Sequence, residues 1–236
     1  MKRQMAMRQF GWLLWVLLVV AGVFAARYVV AAGTLLLRLM GPDLLNSPSA
    51  EYVLRTVALG VSFLLGVGIP YIMLGLRTSR SELGIARLPA WKDIGLGVGG
   101  VVVYGVAAMI LLAAASALSL IDVTQTQTIG NTAIYGTDRL VAFIMLVVVV
   151  PLVEELLFRG FLYGKLRSMR VPFWLVAVVV SAVFGVLHGQ WNVAIDVFCL
   201  SMVAAYLREQ TGTIWPGFII HMIKNLIAFY YGFMAA

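Results

Sequence analysis

Long apolar runs broken by short polar stretches dominate the chain. Read as helices, they predict seven, at about residues 10–37, 53–76, 94–120, 139–166, 172–188, 191–208 and 213–234. An apolar helix of about 20 residues is what a hydrocarbon layer of about 30 Å requires. The stretches 41–51 (GPDLLNSPSAE), 77–93 and 121–138 hold turn residues and polar groups and read as loops. No internal repeat and no low-complexity tail occurs. Lys2, Arg3 and Arg8 precede the first apolar run as in a secretory signal, but apolar character resumes after Arg27. The segment therefore reads as an uncleaved signal anchor. The pattern predicts an all-α, polytopic transmembrane bundle of about seven (six to eight) helices forming one membrane domain. Residues 1–138 supply helices one to three with their loops, and residues 139–236 supply the helices that carry the chemistry below.

Composition agrees with that pattern. Of 236 residues, 62% are hydrophobic and 11% charged, whereas a soluble domain carries about 25% charged residues. So few charges cannot clothe a water-facing surface, so lipid must be the main solvent. The net charge of +7 is read as an orientation signal and not as a nucleic-acid surface. Arg77, Arg80, Arg87 and Lys92 share one loop, and Lys165, Arg167, Arg170 and Arg208 fall on the same side as the N-terminus. Asp43, Glu51, Asp122 and Asp138 fall on the other. Basic residues concentrate in cytoplasmic loops, so the N-terminus is expected in the cytoplasm, and the small size of the chain favours a prokaryotic cytoplasmic membrane. Cys199, the single cysteine, cannot form an internal disulfide and reads as a small packing residue.

Ionisable residues within apolar helices carry the functional information, because each costs at least about 2.5–3.5 kcal/mol near mid-bilayer. Helix four holds Glu154 and Glu155, followed by Arg159. Glu155 and Arg159 share a helix face and read as an architectural ion pair. Glu154 is rotated about 100° from it and reads as a candidate general base. Helix five ends at His188, and helix seven brings His221 and Asn225 onto one face. Glu154 and His188 lie at similar depth, each roughly 20–25 Å from the loop at 168–171 at 1.5 Å per residue. Asn192 and Asp196 lie four apart on helix six, and Asp196 with Lys224 reads as a buried ion pair.

Three motifs, EExxxR (Glu154 to Arg159), FxxxH (Phe184 to His188) and HxxxN (His221 to Asn225), follow in order on separate predicted helices. Their set resembles the CPBP intramembrane protease family, the CAAX-protease and bacteriocin-processing (Abi) proteins that include the type II CAAX prenyl endopeptidases. The resemblance covers roughly 139–234 and extends through YLREQTGTIWP (206–216). Ser201 and Ala204 stand where the family often has glycine and remain small enough for close helix packing. The resemblance implies an endopeptidase acting on a membrane-associated or prenylated peptide or protein. In one mechanism it implies, Glu154 and His188 activate water, His221 and Asn225 stabilise the oxyanion, and Glu155, Arg159 and Phe184 support them. In the other, a metalloendopeptidase, Glu154, His188 and His221 hold zinc. No HExxH occurs and asparagine is an oxyanion donor, which favours the mechanism without a cofactor. A catalytically silent membrane binding or immunity protein is the first alternative. A proton-coupled transporter is the second, although the repeats and broken helices of transporters are not read in the sequence.

Overall fold

The apolar runs form helices, and the described residues contain no strand. The computed structural model describes residues 2–41, 48–68, 78–119, 122 and 134–233. Among these, seven helices follow the expected order. They are α1 (Lys2–Met40), α2 (Pro48–Phe63, continued by Leu64–Gly68), α3 (Trp91–Ala117), α4 (Gly136–Ser168), α5 (Phe173–Val186), α6 (Trp191–Thr211) and α7 (Trp215–Phe233). Among the described residues, four stretches are long and apolar enough to cross a membrane: Gly11–Leu36, Trp91–Ala117, Gly136–Ser168 and Trp191–Thr211. Phe173–Val186 is a shorter apolar helix. The protein is an integral membrane protein of the all-helical, polytopic kind.

Two boundaries moved for local reasons. Helix α2 begins at Pro48, inside the expected loop 41–51; proline suits the first turn of a helix, where its missing N–H is not needed. Helix α3 begins at Trp91 instead of residue 94, because the Asp93 carboxylate accepts the Ala90 N–H at 2.8 Å and caps the first turn. The end of the second expected helix (69–76) and most of the loop 121–138 lie outside the described residues.

Two compact units divide the chain. The first comprises residues 1–12, 78–128 and 155–224. Its core lies where α5 and α3 pack on α6, with Val176, Ala177, Val180, Val197, Leu200 and Ala205 fully buried. Leu200, Leu207 and Ile220 form a cluster covered by Leu96, Val101, Tyr104 and Val203. The opposite face of α3 exposes Val102, Val103, Met109 and Ile110. An exposed stripe of that kind belongs against lipid.

The second unit comprises residues 13–77, 129–154 and 225–236. Trp15, Val19, Val23 and Ala26 make the buried face of α1, at the i, i+4, i+8, i+11 spacing of a single helical stripe. Helix α2 packs on the first part of α4, and Phe143 meets Phe229 edge to face at 5.4 Å.

Helix α4 is not uniform. It widens to π-helical geometry at Ile144–Val149 and again at Leu156–Leu162, leaving the short α-helical piece Val150–Glu155 between. Pro151 accounts for the first widening, since it lacks an N–H and its ring crowds the carbonyl four residues back. At its end the Val150 N–H donates to Met145 O, five residues back. In the second, the Tyr163 N–H donates to Phe158 O, also five residues back. Single-turn π segments inside α-helices occur frequently at functional sites, and here they bracket the two glutamates.

Candidate active site

Glu155 is fully buried in the first unit and pairs along the helix with Arg159, whose Nη1 lies 3.2 Å from Glu155 Oε1. The architectural pair read from the sequence is present. Glu155 Oε1 also receives a second helix: His221 Nδ1 lies 3.3 Å away. The other oxygen, Oε2, faces Gly217, where an added Cβ would come within 2.8 Å of it and 3.0 Å of Ala204 Cβ. Gly217 and His221 are one turn apart on α7, so that helix presents a notch and a ring to the same carboxylate. The small residue at 204 serves this close approach of α6 to α7.

Phe184 joins the rest. Its ring lies 4.9 Å from His188, 5.8 Å from His221 and 4.8 Å from Phe158, each edge to face, and the Arg159 guanidinium stands 4.5 Å over it. A cation over an aromatic face is attracted by the ring quadrupole, which helps hold a buried guanidinium in place. His188 sits just beyond the end of α5, in the turn that leads to Gly189 at φ +79°. Its Nδ1 lies 2.7 Å from Phe184 O. A carbonyl only accepts, so Nδ1 carries the proton and Nε2 of the neutral ring is an acceptor.

Glu154 and Asn225 belong to the second unit. Glu154 is half-buried at the end of the α-helical piece of α4. The Asn225 amide donates to Leu146 O at 2.8 Å. That carbonyl is the one an α-helix would have paired with the Val150 N–H, and the π geometry passes it over. Lys224 Nζ lies 3.8 Å from Asp196 Oδ2, and both side chains are largely buried. Cys199 is buried.

Residues 136–227 match the family model described as type II CAAX prenyl endopeptidase Rce1-like. This segment is similar to that family. It contains the EExxxR, FxxxH and HxxxN motifs in full. The Bacillus subtilis (strain 168) protein named "Putative membrane peptidase YdiL" is 26% identical over 78 residues, which make up 33% of this chain and 32% of that protein. The match thus spans about a third of the length of that curated relative. No solved structure matches the chain significantly.

A zinc ion in a catalytic site commonly takes three protein ligands from histidine and carboxylate. Among the described residues, no group of three or more His, Cys, Asp or Glu is placed to hold an ion. Gly217 escaped the sequence reading. Its one available signal is the spacing of four residues to His221, which marks a shared helix face.

Proposed function

We propose that the protein is an intramembrane endopeptidase that hydrolyses a peptide bond of a membrane-associated or prenylated peptide or protein. The observation that carries this reading is the convergence of the three motifs on Phe184: Arg159 from the first, His188 from the second and His221 from the third all touch its ring. The buried Glu155 and Arg159 beside them are costly in such surroundings, and orienting the His221 ring through Glu155 gives that cost a purpose. The Rce1-like match supports the same reaction class.

Glu154 and His188 activate the hydrolytic water. The backbone carbonyl on Nδ1 leaves His188 Nε2 as the acceptor for a proton from water. His221 and Asn225 stabilise the oxyanion. Nδ1 of His221 is turned to Glu155, so Nε2 is the nitrogen assigned to the oxyanion, to which it donates a hydrogen bond when it carries a proton. The N-terminus lies in the cytoplasm, as the basic loops suggest.

The test is cleavage by purified protein in detergent of a panel of membrane-anchored and prenylated peptides. Wild type is compared with Glu154→Gln and His188→Ala, each with and without a zinc chelator. Cleavage by wild type, lost in both variants and indifferent to chelator, is the expected result. Equal cleavage by the variants overturns the site assignment. Loss on chelation with recovery on added zinc overturns the mechanism.

A further inference from the structure

The second widening of α4 leaves a specific backbone group to be accounted for. The Tyr163 N–H donates to Phe158 O and so passes over Arg159 O, the acceptor an α-helix would have used. Arg208, buried on α6, donates from Nε to that carbonyl at 3.3 Å. The guanidinium goes further: Nη2 donates to Ser81 O at 3.0 Å and to Glu82 O at 2.9 Å. One side chain thus ties the carbonyl of the EExxxR arginine to the backbone of the segment 78–90.

That segment is built to receive it. Ser79 and Glu82 cap each other, with Ser79 N–H to Glu82 Oε2 at 2.8 Å and Glu82 N–H to Ser79 Oγ at 3.1 Å. Lys165 pairs with Glu82 at 3.7 Å. The Trp215 indole N–H donates to Arg87 O at 2.7 Å. Gly160 and Gly164 on α4 face Leu83 O and Glu82 O so closely that a side chain at either would strike backbone.

We propose that Arg208 is a positioning residue for the candidate active site. It holds the widened turn of α4 in the register that sets Arg159, and through the pair with Glu155 it sets His221. Asn225 treats the first widening in the same way, through Leu146 O. In each case a side chain from a later helix takes the carbonyl that the π turn passes over, and Glu154 and Glu155 lie on the piece between. The catalytic half of this inference rests on the protease reading; the linkage to His221 does not.

The test separates the two. The chain has two histidines, so ¹⁵N-histidine labelling gives two imidazoles to follow in detergent. Arg208→Lys keeps a cation but cannot serve three carbonyls at once; Arg208→Gln is the second variant. Both are expected to shift the His221 ring resonances and leave those of His188 in place. On a cleaved peptide, kcat falls about 10²-fold with KM unchanged, the scale of a misplaced reacting group. Glu82→Gln and Trp215→Phe loosen the segment 78–90 without touching the Arg159 carbonyl. They are expected to lower the melting temperature while keeping wild-type kcat and His221 resonances. An unshifted His221 in Arg208→Lys overturns the inference, as does a wild-type kcat. So does the same His221 shift in Glu82→Gln and Trp215→Phe. If wild type cleaves no peptide, the protease reading fails while the His221 comparison still decides the linkage.

Discussion

His221 Nδ1 stands 3.3 Å from Glu155 Oε1, so one carboxylate oxygen serves both an arginine on its own helix and a histidine on another. This relation makes Glu155 more than half of an ion pair. Removing it leaves the Arg159 guanidinium buried without its carboxylate and frees the His221 ring to turn. Truncating one partner of a buried pair costs about 3–5 kcal/mol. Glu155→Ala is therefore expected to lower the melting temperature in detergent markedly and to abolish cleavage. Glu155→Gln, which keeps the shape, is expected to stay folded and still lose activity, because a neutral amide replaces the carboxylate oxygen shared by Arg159 and His221. A Glu155→Gln protein that cleaves at the wild-type rate would remove His221 from the mechanism.

Gly217 gives a steric test of the same contact. A methyl group there meets Glu155 Oε2 at 2.8 Å and Ala204 Cβ at 3.0 Å, and neither the short, pinned carboxylate nor the helix can yield easily. Gly217→Ala should cost about 1–3 kcal/mol as overpacking and about 10²-fold in kcat through displacement of the carboxylate. Gly105→Ala on α3 is the control, since nothing lies within 4 Å of its added Cβ. There the exchange removes only the glycine penalty in a helix, about 1 kcal/mol in favour of alanine. Melting curves and steady-state kinetics of the two variants, measured together, check both expectations.

Much of this arrangement was legible before the structure, for a physical reason. Lipid demands apolar runs of fixed length, so seven helices could be counted from residue pattern alone, and an intramembrane charge such as Glu155, Arg159 or Lys224 stood out against it. The pairs Glu155–Arg159 and Asp196–Lys224 followed from helix periodicity and from charge neutralisation. What the pattern did not carry was register within a helix and contact between helices. Pro151 could have flagged the first widening of α4. Nothing comparable marks the second, which shows only in the backbone bonding around Tyr163 and in Arg208. The Glu155–His221 contact depends on how α7 lies against α4, which hydrophobic spacing does not specify. Read from the helix alone, Glu155 was committed to Arg159.

Glu154 and His188 are assigned the water-activating step, and general-base contributions are typically about 10²–10⁴-fold. Glu154→Gln and His188→Ala are each expected to lower kcat by that order while the melting temperature stays near wild type. Both side chains are only half-buried, so neither exchange opens a core cavity. The double variant should fall little further than the worse single one, because two groups that act on one proton transfer are not additive. Independent, multiplicative losses in the double variant would mean that the two residues serve different steps.

Asp196 and Lys224 offer a test that keeps stability and catalysis apart. Their charged atoms are 3.8 Å apart, with side-chain exposures of 25% and 17%, so the pair is partly screened and its net worth is modest. Either partner alone, however, leaves an uncompensated charge in a membrane-spanning unit. Asp196→Asn and Lys224→Met should each destabilise, and the double variant should recover part of the loss. A coupling of about 0.5–3 kcal/mol is the range for residues in contact. Lys224 also follows His221 by three residues on α7, on a neighbouring part of the helix surface. If the pair is architectural, kcat in the double variant stays at the wild-type level. A double variant that is as stable as wild type but no longer cleaves would place Lys224 among the groups that meet substrate.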